Sequence, residues 1–73
     1  MNIKKIEWQI EHNEYRIVCL KDEICERKSL IRSELDETNI NGDKIASLAR
    51  YIDECQVMIK MLAEENQMLK TLL

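Results

Sequence analysis

The chain has 73 residues and a formal net charge of −3, from 11 basic and 14 acidic side chains, with no proline and one glycine. A chain of this length forms one small domain at most, and it buries too little surface to be more than marginally stable alone. The acidic balance and the lack of a basic cluster exclude an ordinary nucleic-acid-binding face. High charge and aliphatic periodicity without proline indicate long helices.

The first predicted helix runs from about residue 2 to about residue 38. Its isoleucines and leucines recur at spacings of three, four and seven residues, as in an amphipathic helix. Asn13 occupies a position of this stripe where an apolar residue is expected. Near Arg27 and Lys28 the pattern indicates a four-residue stutter in the heptad repeat, after which Ile31 and Leu35 resume the stripe.

A turn is predicted at about residues 39–43, followed by a second helix from about residue 44 to residue 73. The Asn41-Gly42 pair favours a turn, because glycine and, less readily, asparagine accept a positive φ. Asp43 is placed to cap the second helix. From residue 45 to residue 73 an unbroken heptad pattern places apolar residues on one narrow stripe, with Asn66 as its polar member.

A short connection between two long helices predicts an all-α fold, an antiparallel two-helix hairpin with coiled-coil-like packing. In the register that matches the two stripes, Leu35 faces Leu48 and Asn13 faces Leu69, with Asn66 in the layer next to Asn13. The two asparagine amides are therefore expected within hydrogen-bonding reach. The predicted seam between the helices consists of Ile10, Asn13, Ile17, Leu20, Ile24, Ile31, Leu35, Leu48, Ile52, Cys55, Ile59, Leu62, Asn66 and Leu69.

A single hairpin leaves apolar residues uncovered. The second helix carries a second apolar line beside its seam, and further apolar residues extend beyond the seam at the N-terminus. Methionine is flexible and polarizable, so methionine-rich surfaces suit adaptable protein contacts. We predict a partner-binding face that consists of Ile3, Ile6, Trp8, Tyr51, Met58, Met61, Met68 and Leu72.

The residue chemistry does not indicate an enzyme, a cofactor or a metal site. His12 is the only histidine, and no serine or cysteine lies at a helical spacing that would pair with it as a nucleophile. There is no glycine-rich phosphate loop, and the spacing of the three cysteines is not that of a zinc site. We expect free thiols and a non-enzymatic protein that binds a helical partner or forms a homo-oligomer.

Location is predicted from what the sequence lacks. No apolar run approaches the roughly 18 residues that span a bilayer, so we expect no membrane span. The charged N-terminal segment has no apolar stretch of the kind found in secretion signals. A cytoplasmic location is therefore expected.

The segment 52–62, IDECQVMIKML, together with the segment 3–10, IKKIEWQI, resembles the small E-type co-chaperones of type III secretion needle subunits. The likeness is a pattern of aliphatic, acidic and small residues followed by paired aliphatic residues on the second helix. It implies a bacterial, cytosolic hairpin that joins a larger helical-repeat chaperone. Together they would hold the needle subunit unpolymerised before export.

The segment 49–56 is similar to the Ser-x-x-Leu-Asp-x-Leu-Ile motif of the small aspartyl-phosphate phosphatases of the sporulation phosphorelay. Asp53 matches the motif and Ile52 is a conservative match, whereas Ala49, Cys55 and Gln56 replace the serine, the second leucine and the isoleucine. This resemblance implies that Asp53 would carry an activity toward response regulators.

A third alternative is a coiled-coil oligomerisation module. Asn66 at a seam position is how parallel zippers fix their register. A parallel zipper would leave the stripe of the first helix uncovered, so the matched stripes favour the hairpin. Of the three alternatives, the secretion co-chaperone is the function that we predict.

Overall fold

The computed structural model describes residues 2–73 and shows two antiparallel helices joined by a short loop. Helix α1 spans Ile3–Leu35 and helix α2 spans Gly42–Lys70. They pack along their lengths into a rod of 58 × 14 × 11 Å. The predicted all-α helical hairpin is confirmed. Neither helix, over residues 2–73, offers an apolar stretch long enough to cross a membrane.

Asparagine caps begin both helices. Asn41 Oδ1 accepts a hydrogen bond from the Lys44 backbone N–H at 3.1 Å, and Asn2 caps α1 in the same way. Each side chain satisfies one of the N–H groups that the first helical turn leaves free. The N-cap of α2 is therefore Asn41 and not Asp43, which lies in the first turn. Gly42 is already helical and has no positive φ, so the predicted turn geometry is wrong.

The loop between the helices covers residues 36–41, earlier than the predicted turn at about 39–43. Glu34 explains the shift, because it ties the last turn of α1 to the start of α2. Its carboxylate accepts the Asn41 backbone N–H at 3.0 Å, and the Lys44 ammonium lies 3.3 Å away. These contacts allow α2 to begin at Gly42 and close the hairpin tightly.

The heptad phase of α1 runs unbroken through Arg27, so the predicted stutter is wrong. Ile24 and Ile31 share one position of the repeat, and Arg27 and Glu34 share the other. Arg27 is half-buried and Glu34 is buried. Leu35 is 54% exposed and does not belong to the seam, where Glu34 takes its place. The prediction failed because it preferred the apolar Leu35 to the neighbouring Glu34 and passed over Arg27 as a seam residue.

The apolar core lies in the middle of the seam. Ile24, Ile52 and Cys55 form a buried cluster, and Leu20, Ile31, Tyr51 and Ile59 pack against it. The remaining predicted seam residues are also buried or half-buried, namely Ile10, Asn13, Ile17, Leu48, Leu62, Asn66 and Leu69.

A polar layer sets the register of the two helices. Asn13 Nδ2 donates to Asn66 Oδ1 at 2.8 Å, and Asn66 Nδ2 donates to the Ile10 carbonyl at 3.2 Å. Gln9 Nε2 donates to Asn13 Oδ1 at 2.9 Å. The predicted amide–amide hydrogen bond is confirmed, but Asn13 meets Asn66 directly and does not face Leu69. The helices are thus displaced from the predicted register by about half a heptad.

Candidate partner-binding face

The two long flanks of the hairpin differ in chemistry. On one flank, Glu14 and Lys70 form an ion pair at 4.0 Å beside the small side chain of Ala63. On the other flank, apolar side chains of α2 lie exposed beside α1. We call this second flank the methionine face, and it consists of Met58, Met61 and Met68 of α2, of Leu72 just beyond the end of α2, and of the adjoining α1 residues Arg16 and Leu20.

A shallow groove crosses the middle of the methionine face. Met58, which is 37% exposed, borders it, and the buried Cys55 and the half-buried Leu20 form its floor. The heptad pattern places Leu20 and Cys55 in the seam alone and does not predict their position beside the groove. The full lining consists of Arg16, Leu20, Tyr51, Glu54, Cys55 and Met58.

Tyr51 is less available to a partner than the sequence suggested. Its hydroxyl donates to Glu23 Oε1 at 3.0 Å, and the Arg27 guanidinium carbon lies 4.4 Å from the centre of its ring. The hydrogen bond to Glu23 and then burial raise the pKa of Tyr51, and the Arg27 charge opposes them. Tyr51 is half-buried, and it joins the two helices as well as bordering the groove. This contact also gives the polar Arg27 a partner in the seam.

Most of the other predicted partner-binding residues meet at the free end of the hairpin. Ile6 and Trp8 line one depression, Met68 and Leu72 line another, and Leu69 borders both. We call this region the terminal patch. Its most exposed apolar side chains are between 49% and 72% exposed, and they are Ile3, Trp8, Met68, Leu72 and Leu73. Leu69 and Leu73 were not predicted as binding residues, because the heptad pattern places both in the seam.

Trp8 is held in place by His12. The two rings stack with centroids 4.9 Å apart and planes 7° from parallel. Residues four apart lie on the same face of a helix, which allows this contact within α1. His12 is exposed, and its ring orients Trp8 by stacking against the indole. A pre-oriented indole loses little conformational freedom when a partner covers it.

Met61 connects the groove with the terminal patch. It is 58% exposed and lies three residues after Met58 and seven before Met68, so the three side chains share one edge of α2. Glu65 interrupts this edge between Met61 and Met68. The methionine face therefore runs from the middle of the hairpin to its free end.

Side chains with catalytic potential are dispersed. Over residues 2–73, no group of three or more His, Cys, Asp or Glu side chains is placed to hold a metal ion. Asp53 is exposed on α2, and none of the ion pairs among these residues includes it. Among the thiols, Cys25 is exposed, Cys19 is half-buried and Cys55 is buried.

No known protein family, curated protein or solved structure matches this chain. The methionine face is the feature of this structure that indicates a function. That face is an apolar, solvent-exposed line on a two-helix scaffold whose own seam is already filled, and its geometry suits the packing of another helix.

Proposed function

We propose that this chain is a non-enzymatic interaction protein whose methionine face binds a helical segment of a partner protein. The observation that carries the proposal is the alignment of Met58, Met61 and Met68 on one exposed edge of α2, with Leu72 just beyond its end. Single exposed apolar residues are normal on monomers, whereas several large ones on the same face favour a contact site. Trp8 at the terminal patch adds a large, pre-oriented anchor.

The size of the face is sufficient for specific binding. Each large apolar side chain that a partner buries fully contributes roughly 1.5–3 kcal/mol. The methionine face and the terminal patch together present several such side chains, and their burial offsets the cost of association. A helix is the matching shape, because the face is a straight edge beside a groove between two helices.

We further propose that the partner is the helical-repeat chaperone of a bacterial type III secretion needle subunit, and that the complex acts in the cytoplasm. The support is the resemblance of the segments 52–62 and 3–10 to the small co-chaperones of that system. The two segments contribute Met58 and Met61 to the methionine face, and Ile6 and Trp8 to the terminal patch. A co-chaperone of this size is only marginally stable alone and would gain stability in the complex.

Co-purification with the candidate chaperone tests the proposal. Met58→Glu with Met61→Glu should abolish recovery of the complex, while the helical circular dichroism of the free chain stays unchanged. The matched control is Val18→Glu with Val57→Glu, because both valines are more than half exposed, at 56% and 60%, and neither belongs to the methionine face.

The outcomes separate the general proposal from the specific one. Unchanged recovery of the methionine variant would show that this edge is ordinary surface. If the methionine variant loses a helical partner of another kind and the valine variant retains it, the interaction function stands and the secretion assignment is wrong.

A further inference from the structure

We propose that a second copy of this chain covers the methionine face when no other partner is bound. The two copies run antiparallel, α1 against α1 and α2 against α2, across a twofold axis close to Cys19. This homodimer is a property of the chain itself and does not rest on the identity of the heterologous partner.

The α1 side of the methionine face is divided by charge. Arg16 lines the groove beside Met58, and Glu23 accepts the hydrogen bond from Tyr51, so both belong to this face. Cys19 lies three residues after Arg16 and four before Glu23, which places it between them on the same side of the helix. The face is therefore basic before Cys19 and acidic after it.

An antiparallel second copy turns this division into complementarity. With the axis at Cys19, Arg16 of each copy lies opposite Glu23 of the other, and His12 lies opposite Glu26 one turn farther out. A twofold axis parallel to the helices would instead lay α1 over α2 and bring Glu23 close to Glu54 of the second copy. The α1 side of the face is therefore complementary to itself only in the antiparallel arrangement, which pairs α1 with α1.

The position of the axis also gives the largest overlap. Cys19 is the middle residue of the 33-residue helix Ile3–Leu35, so antiparallel copies cover each other along the whole rod. A face of 58 by 14 Å is comparable to the roughly 800 Å² per partner that stable interfaces bury. Leu20 and Met58 line one groove, so the apolar centre of the face lies at the level of the axis.

The α2 side keeps the dimer weak. Glu54 and Glu65 lie on this edge of α2, and a second α2 brings no opposite charge to them there. Like charges across an interface lower its affinity. A heterologous partner with a basic edge would pair with Glu54 and Glu65 and would therefore displace the second copy. The second copy thus shields the methionines only until that partner binds.

Cross-linking tests the position of the axis. A short bis-maleimide joins two thiols without an oxidant, and three full-length variants are compared at the same concentration. Cys25→Ser keeps Cys19 and should give a covalent dimer. Cys19→Ser keeps Cys25, which lies about 120° around α1 from Cys19, and should give none. The double variant with both serines measures any reaction of the buried Cys55.

Charge reversal tests the pairing independently. Arg16→Glu should weaken the dimer about tenfold in sedimentation equilibrium, because it replaces two attractive pairs by repulsive ones. Arg16→Glu with Glu23→Arg should restore the wild-type affinity. Lys21→Glu is the matched control, since it makes the same change of charge at an exposed residue outside the proposed interface. Tyr51→Phe removes the hydrogen bond to Glu23 and measures how far the loss of that contact alone changes the affinity of the dimer.

Several results would overturn the proposal. A wild-type chain that stays monomeric up to its solubility limit excludes the dimer. A cross-link through Cys25 in place of Cys19 places the interface on another side of α1. Equal effects of Arg16→Glu and Lys21→Glu would show a response to net charge and not to a defined pair.

Discussion

The side-chain amides of Asn13 and Asn66 meet in one buried layer of the hairpin, where 2.8 Å separates Asn13 Nδ2 from Asn66 Oδ1. Asn13 is 1% exposed and Asn66 is 5% exposed. Any other register would separate the two amides and leave them buried without these partners, which is costly in an apolar interface. The pair therefore selects one register among several that the apolar layers alone would permit.

Replacing the asparagines tests that role. Asn66→Leu alone leaves the Asn13 amide without its partner and should lower the free energy of unfolding by about 1–3 kcal/mol. Asn13→Leu with Asn66→Leu removes both polar groups, so it should raise stability while loosening the register or the oligomeric state. Chemical denaturation and light scattering measure the two effects. A double variant less stable than either single variant would contradict this account.

Truncating two leucines tests the observed seam. Leu62 is 5% exposed, so Leu62→Ala should cost about 2–5 kcal/mol and remove most of the stability of so short a chain. Leu35 is 54% exposed, and Leu35→Ala should change stability by only about 0.5 kcal/mol. Thermal unfolding followed by circular dichroism compares them. Equal losses of stability in the two variants would show that Leu35 belongs to the seam.

Glu34 should make closure of the hairpin depend on pH. The hydrogen bond from the Asn41 backbone N–H lowers the pKa of Glu34 below its ordinary 4.5 despite the opposing effect of burial, and Lys44 lowers it further. Because the pKa is lower in the folded state, this contribution to stability is present above pH 4.5 and disappears as the pH falls through the folded-state value. Glu34→Gln should be less stable than wild type at neutral pH, with a difference that closes on acidification.

Unfolding midpoints measured between about pH 7 and about pH 3 check this expectation. Glu37→Gln is the matched control, since Glu37 is an exposed glutamate in the loop that follows α1. A difference between wild type and Glu34→Gln that stays constant with pH would exclude titration of Glu34 as its cause.

Tyr51 should report the contact between the helices at high pH. Its pKa is raised above 10.0, first by the hydrogen bond to Glu23. The phenol is the donor, so this stabilising contact is complete below pH 10.0 and is lost as the pH rises through the raised pKa. Glu23→Gln should move the phenolate transition toward lower pH in an ultraviolet titration. Both chains in this comparison carry Tyr15→Phe, so that the titration reports Tyr51 alone. Tyr15 would otherwise interfere, because the Cys19 thiol raises its pKa through a hydrogen bond. An unchanged transition would contradict the role of Glu23.

Asp53 separates a binding protein from a phosphatase. Asp53 is exposed, so Asp53→Ala should change stability by only about 0.5 kcal/mol and leave partner binding intact. The wild-type chain should not release phosphate from a phosphorylated response regulator. Asp22→Ala, at an exposed aspartate of α1, is the control. Phosphatase activity that Asp53→Ala abolishes and Asp22→Ala preserves would establish the phosphatase alternative.

The candidate binding face was predictable in outline. Apolar residues that recur on one side of a helix outside its seam positions form a second line, and this spacing is sufficient to identify Met58, Met61, Met68 and Leu72. Tyr51 shares that spacing, but the structure ties it to Glu23 and Arg27. Spacing shows which side of a helix a residue occupies. It does not show which residues of the opposite helix contact that residue.

The sequence by itself determined that this chain forms two long helices and that they pair as a hairpin. Both conclusions follow from apolar periodicity and a polar break, and these are properties of neighbouring residues. Only the tertiary structure decided the register, the point of closure and the presence of polar residues in the seam. Arg27 is accommodated because Tyr51 lies against it, and Glu34 because the start of α2 supplies the Asn41 N–H and the Lys44 charge. A buried polar group is tolerated only beside its partner, and these partners become neighbours only when the chain folds back on itself.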